Sequence, residues 1–167
     1  MLTIWAMIQA IGGAPIPPPL PPRPTPEQMR AAKALFDPSP NNSVNSWGIG
    51  IAAAQIGEEA LRSRNLYSKD RDFALDRRLD ALARERQTEI IDAAITCVAE
   101  GYAARLQVAD LEALKAFIAT SPGARFWRLN QEKDAWRACF KAPTERVLRS
   151  HLDDEVAAVV RQAPKAN

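Results

Sequence analysis

Apolar residues recur along this chain three and four apart, which is the spacing of a helix that buries one face. The stretch that organises the rest runs from Leu111 to Leu129. Leu111, Leu114, Phe117 and Ile118 form one stripe; Phe126, Leu129, Trp136 and Phe140 form the next. Between them lies the corner Thr120-Ser121-Pro122-Gly123. Proline lacks a backbone donor and clashes with the preceding turn, so the first helix is expected to stop near Thr120. Ser121 is expected to cap the second helix, with Pro122 at its first position. Gly123 lets two backbones approach closely at the bend. Two stripes joined by so short a corner are expected to face each other or a shared third helix.

The other segments follow the same period. Thr25-Pro26-Glu27 starts a helix, with Thr as cap, Pro at the first position and Glu on the positive end of the dipole. It passes Met29, Ala32 and Leu35-Phe36 and ends at Asp37-Pro38-Ser39-Pro40. Asn41 to Ser46 is expected to be a polar loop. Trp47 to Arg64 is expected to be helical although Gly48, Gly50 and Gly57 weaken it, each by up to about 1 kcal/mol. A long helix is expected to start from a cap at Asp70 or Asp72. Its face runs through Leu75, Leu79, Leu82, Ile90, Ile91, Ala94 and Val98 to Tyr102. Its charges alternate in sign three and four apart, as on a solvated face. Thr144 to Gln162 closes the chain with Val147-Leu148, Leu152, Val156 and Val159-Val160. The whole is an all-α pattern: a bundle of about five to six helices behind a proline-rich extended segment.

The first 26 residues differ in kind. Met1 to Ala14 is a short apolar run ending in Gly-Gly-Ala. It is shorter than the stretch of about 20 residues that a membrane span needs, and it suits the apolar region of a signal peptide. No Lys or Arg precedes it and Pro15 follows it, so an N-terminal helix remains the other reading. Pro15 to Pro26 holds eight prolines in twelve positions. Such a segment is extended polyproline II and spans about 37 Å at about 3.1 Å per residue. Pro18-Pro19-Leu20-Pro21-Pro22-Arg23 fits the Pro-x-x-Pro-x-Arg pattern of SH3-type ligands, but a spacer is the simpler reading. The expected organisation is an apolar segment at 1–14, a proline-rich linker at 15–26 and one α-helical domain at 27–163.

Composition narrows the chemistry. The 167 residues carry 22 Lys+Arg against 20 Asp+Glu, a net charge of +2. That balance gives no reason to expect nucleic acid or an anionic membrane as a partner. Two cysteines, Cys97 and Cys139, sit on the apolar faces of different helices. They are either buried thiols or a helix-to-helix disulfide, and the second requires an oxidising compartment. With a single histidine they do not make a zinc site. Gly48-Ile49-Gly50-Ile51-Ala52-Ala53 superficially fits a dinucleotide fingerprint, but no strand precedes it, and close helix packing explains the glycines better. The Asp residues of the long helix lie among arginines, against a cation site. His151 beside Asp153 and Asp154 is expected to be polar surface. No catalytic residue, cofactor or metal ligand is assigned, and no transmembrane segment is expected.

The corner also carries a resemblance. Leu106-Gln107-Val108-Ala109-Asp110-Leu111 and Phe117-Ile118-Ala119-Thr120-Ser121-Pro122-Gly123-Ala124-Arg125-Phe126 together resemble a bacterial domain-of-unknown-function family. That family's signature is approximately Leu-Thr-x-x-Glu-Leu followed by Phe-Tyr-x-Thr/Ser-Pro-x-Gly. Phe117, Thr120 and Gly123 align directly, Pro122 is displaced by one position, and Ile118 replaces the usual Tyr. The resemblance implies a helical fold and an envelope location, and carries over no catalytic residue. The function expected is that of an exported, non-enzymatic helical domain binding a protein or another envelope component. The alternative is a cytoplasmic regulator or nucleic-acid-associated protein using Arg77-Arg78 and Arg125 to Arg128.

Overall fold

The computed structural model describes residues 23–131 and 134–162, with side chains outside 130–137. The expectations for the apolar run 1–14, for most of the proline-rich linker and for the Trp136 side chain lie outside these residues. The described residues form eight helices and no strand. They are α1 (Pro26–Lys33), α2 (Ser43–Ser63), α3 (Lys69–Glu85), α4 (Gln87–Ala103), α5 (Val108–Ile118), α6 (Ser121–Gln131), α7 (Asp134–Leu148) and α8 (Leu152–Gln162). The all-α class stands, and the count exceeds the five to six expected.

The surplus has local causes. The long helix expected through Tyr102 is two helices, divided at Arg86, whose φ of −116° and ψ of 21° leave the helical region. No Gly or Pro marks that break. The bend lets α3 stay on α2 while α4 turns to pack against α7 and α1. The stripe expected from Phe126 to Phe140 is shared between α6 and α7. The last segment is divided too, because α7 runs through Pro143 to Leu148 and α8 starts afresh at Leu152. Pro143 offers no donor to the carbonyl of Cys139 one turn back, yet packing holds the helix together.

Caps explain the helix starts. Thr25 Oγ1 accepts from the Gln28 backbone and Gln28 Oε1 accepts from Thr25 N–H, a reciprocal capping box with Pro26 just inside. α2 begins earlier than expected, because Asn42 Oδ1 accepts from Val44 N–H at 2.9 Å and draws 43–46 into the helix. Asn45 is buried there, and its amide donates to the carbonyls of Asp37 and Ser39, pinning the α1–α2 link. The cap of α3 is Ser68, whose hydroxyl accepts from Arg71 N–H, instead of Asp70 or Asp72. The two aspartates occupy the first turn, where the helix dipole favours them.

The core is one contiguous cluster built on α2, α3, α4 and α7. Ile49, Leu61, Leu75, Leu79, Ile90, Ile91, Phe140 and Leu148 are fully enclosed. The α2 glycines make this packing close. A Cβ on Gly48 would stand 2.7 Å from the Phe140 ring, and one on Gly57 would stand 3.3 Å from Leu79. These glycines are helix contacts with no strand before them, so the dinucleotide pattern has no structural counterpart.

Candidate functional site

α5 and α6 leave the bundle between α4 and α7 and return to it. Among the described residues their extensive packing is on each other and, through α5, on α1. At the root of this excursion Cys97 of α4 and Cys139 of α7 form a disulfide, with S–S 2.06 Å and Cα atoms 5.7 Å apart. Cys97 is exposed and Cys139 half-buried, whereas both were expected on buried faces. The bond therefore closes a surface loop that contains the whole α5–α6 hairpin.

The corner itself is tightly built. α5 ends at Ile118, and the Thr120 hydroxyl donates to the Phe117 carbonyl at 2.7 Å and accepts from Gly123 N–H at 3.1 Å. Ala124 N–H bonds the Thr120 carbonyl at 2.8 Å, so Thr120 is the N-cap of α6. That displaces the cap from Ser121, which is an exposed first helical residue. Pro122 follows one position later than expected, still within the first turn, where its missing donor costs nothing. Gly123 is required sterically: a Cβ there would lie 1.8 Å from the Phe117 carbonyl oxygen.

Trp127 holds the hairpin to the bundle. It is 8% exposed, and its ring lies 5.5 Å from Phe36 and 5.7 Å from Tyr102. Phe36 and Tyr102 meet edge-on at 5.8 Å, closing a triangle of rings at the ends of α1 and α4. Such pairs contribute about 0.5–1.5 kcal/mol each beyond area burial. Burial raises the pKa of Tyr102 above its ordinary value.

The opposite side of the hairpin is open. Leu111 is buried and Leu114 and Ile118 are half-buried, but Phe117 is 44% exposed, Phe126 55% and Leu129 66%. The two stripes were expected to face each other or a shared third helix; Phe117 and Phe126 do meet, but both rings and Leu129 stay exposed. The α6 stripe points outward because Trp127 already occupies the inward side. Phe117 and Phe126 meet edge-on at 6.0 Å. Two other exposed aromatics are covered differently: Arg62 lies over Tyr67 at 4.1 Å and Arg77 over Phe73 at 4.7 Å. Beside the ridge is a groove of about 480 Å³, bordered by Asn42, Val44, Ile118, Trp127 and Arg128.

The remaining sequence candidates are structural. His151 is exposed and its carbonyl accepts from Glu155 N–H to start α8. Asp153 pairs with Arg64 and Glu155 with Arg78, fastening α8 to the bundle. Among the described residues no group of three or more His, Cys, Asp or Glu could hold a metal ion. No described helix is long and apolar enough to cross a membrane.

One feature went unread in the sequence. A cleft of about 620 Å³ between α2 and α3 is lined by Ser46, Trp47, Asp76, Asp80 and Arg84 among others. Arg84 donates to Asp80 at 2.7 Å and to Ser46 Oγ at 2.9 Å, while Asp80 Oδ1 is buried without a partner. Desolvation, and then the neighbouring Asp80 and Asp72, raise the pKa of Asp76. The one-turn spacing of Asp72, Asp76 and Asp80 was legible; that Gly50 leaves room for them on α2 was not.

Among the described residues, fold and surface together define an all-helical, disulfide-closed bundle with an exposed apolar corner. No family model, no curated protein and no solved structure matches the chain.

Proposed function

We propose that this chain is an exported, non-enzymatic helical domain that binds a protein or another envelope component through the α5–α6 corner. The observation that carries the reading is the open ridge of Phe117, Phe126 and Leu129 on a hairpin whose backbone is tightly specified. Contiguous exposed apolar side chains mark contact surfaces. Export is supported by the disulfide, since such bonds persist in oxidising compartments, and by the apolar run Met1 to Ala14. The resemblance of Phe117 to Gly123 to an exported family points the same way, and the prolines from Pro15 to Pro26 suit a spacer.

The test is fractionation of expressing cells with intact mass and thiol alkylation. Cleavage near Ala14, thiols that alkylate only after reduction, and co-sedimentation with the envelope are expected. The double variant Phe126→Ser/Leu129→Ser should keep its bond and move to the soluble envelope fraction. A full-length chain with free thiols found only in the cytoplasm would defeat the reading.

A further inference from the structure

The α2–α3 cleft holds a charge that the fold leaves unanswered. The arginines interleaved with Asp72, Asp76 and Asp80 speak against a cation here as long as only their order along the chain is known. In the structure each of the four arginines of α3 has its own partner. Arg71 donates to the Leu66 carbonyl at 3.1 Å and Arg77 lies over the Phe73 ring at 4.7 Å. Arg78 pairs with Glu155, and Arg84 is shared between Asp80 and Ser46 Oγ. Asp76 is half-buried, yet among the described residues it has neither a hydrogen bond nor an ion pair. Desolvation is the first cause of its raised pKa, and the charges that add to it, Asp80 and Asp72, are both negative.

Around this carboxylate the cleft, about 620 Å³, offers apolar surface from Trp47, Ile51 and Ala54 and hydroxyls from Ser43 and Ser46. Gly50 keeps it open: a Cβ there would come 3.6 Å from Asp80 Oδ1, an atom that also lacks a donor. Space of this size takes a small molecule. We propose that the cleft binds a small organic amine in its ammonium form. Its N–H groups donate to the Asp76 carboxylate, and its carbon body lies along Trp47, Ile51 and Ala54. A charge-assisted hydrogen bond to a carboxylate that has lost part of its water is stronger than one made in open solvent. A bare metal ion is less well matched, because among the described residues no three His, Cys, Asp or Glu come together to hold one. An anion is matched worse, since Arg77 and Arg84, the lining cations, are already engaged. The proposal does not rest on the α5–α6 corner being a contact face, so either can fail alone.

The test is an amide NMR titration of the full oxidised chain at neutral pH and constant ionic strength. The probes are phenethylamine, phenethyl alcohol and phenylpropionate, which share a body and differ in charge. Phenethylamine should shift the amides of Trp47, Gly50, Asp76 and Asp80. The alcohol and the carboxylate should bind at least about tenfold more weakly, the scale of one hydrogen bond to a charged group. Asp76→Asn, which keeps the shape, should weaken amine binding by a similar factor. Gly50→Leu should abolish it by filling the cleft from α2. Arg77→Gln should bind at least as tightly as the parent. Asp70→Asn removes an exposed carboxylate of α3 outside the lining and should change nothing. Urea unfolding checks that each variant stays folded, and Asp76→Asn and Gly50→Leu alter different helices.

Equal responses to the amine and the alcohol, shifts spread over the surface instead of the cleft, or an Asp76→Asn chain that binds like the parent would overturn the proposal. So would loss of binding in Asp70→Asn alongside Asp76→Asn, the mark of a general attraction to acidic surface. A chain that answers magnesium or calcium at the same amides and ignores the amine would overturn it in favour of a metal.

Discussion

Phe126 and Phe140 share one chemistry and were expected on one stripe, yet Phe140 is fully enclosed and Phe126 is 55% exposed. The difference lies in what stands opposite. Phe140 on α7 meets Gly48 of α2, where a missing side chain makes its seat. Phe126 on α6 has Trp127 beside it taking the inward direction. Apolar periodicity thus states that a helix has a face, and only the partner decides whether that face becomes core. In α2, α3, α4 and α7 the partners are helices of the same chain; at the α5–α6 corner Phe117, Phe126 and Leu129 stay largely exposed.

The largest effect should separate the two rings directly. Phe140→Ala should cost about 3–5 kcal/mol, because a void opens where Gly48 offers nothing to fill it. Phe126→Ala should cost no more than about 1.5 kcal/mol, the scale of its edge-on pair with Phe117. Equilibrium urea unfolding measures both, and equal losses would break the comparison.

Next in size is the bond at the root of the corner. Cys97 and Cys139 are 42 residues apart, and closing such a loop constrains the unfolded chain by about 4 kcal/mol in the entropic account. Cys97→Ala/Cys139→Ala should approach that loss, less whatever structure the open chain retains. Hydrogen exchange should show the α5–α6 amides losing more protection than those of α2. Uniform loss would mean that the hairpin is no less stable than the core it leaves.

Gly123→Ala should cost about 1–3 kcal/mol, since the added methyl meets a backbone carbonyl that can move only if the corner opens. The damage should be local. Trp127 fluorescence should report loosening of α6 at denaturant concentrations where far-UV signal from the remaining helices persists. Smaller again is the cap. Thr120→Val should lose about 1 kcal/mol, whereas Ser121→Ala should lose a few tenths at most, reversing the assignment drawn from Ser-Pro alone.

That reversal shows what local sequence can carry. Thr25-Pro26 and the corner were legible because their residues act through the backbone next to them. The α2 glycines were legible as close-packing positions, though Phe140 and Leu79 as their partners were not. The division at Arg86 left no mark, because neither Arg86 nor Gln87 breaks a helix and tertiary packing made the choice. Pro143 lies inside α7, its local cost being outweighed by the buried neighbours Phe140, Thr144 and Leu148. The outward turn of Phe117, Phe126 and Leu129 was beyond reach for the same reason. It depends on Trp127 meeting Phe36 and Tyr102 from distant segments.

The smallest expected effect probes the charged rim of the core. The α2–α3 cleft sets Asp72, Asp76 and Asp80 one turn apart on α3, with Arg84 answering Asp80. Asp76 is half-buried, and desolvation raises its pKa, with Asp80 and Asp72 adding to it. A carboxyl whose folded pKa lies above its unfolded value favours the folded state when protonated. Its contribution is full below the unfolded pKa and is lost as pH rises through the folded one, so at neutral pH the charge opposes folding. Asp76→Asn should therefore raise the unfolding midpoint slightly at neutral pH. The gain should shrink as pH falls through the carboxylate range, because Asp76 is then neutral in both states. Midpoints measured across that range check the sign. A variant less stable at neutral pH would show that the Asp76 carboxylate is held by the cleft and that the charges of this rim are balanced.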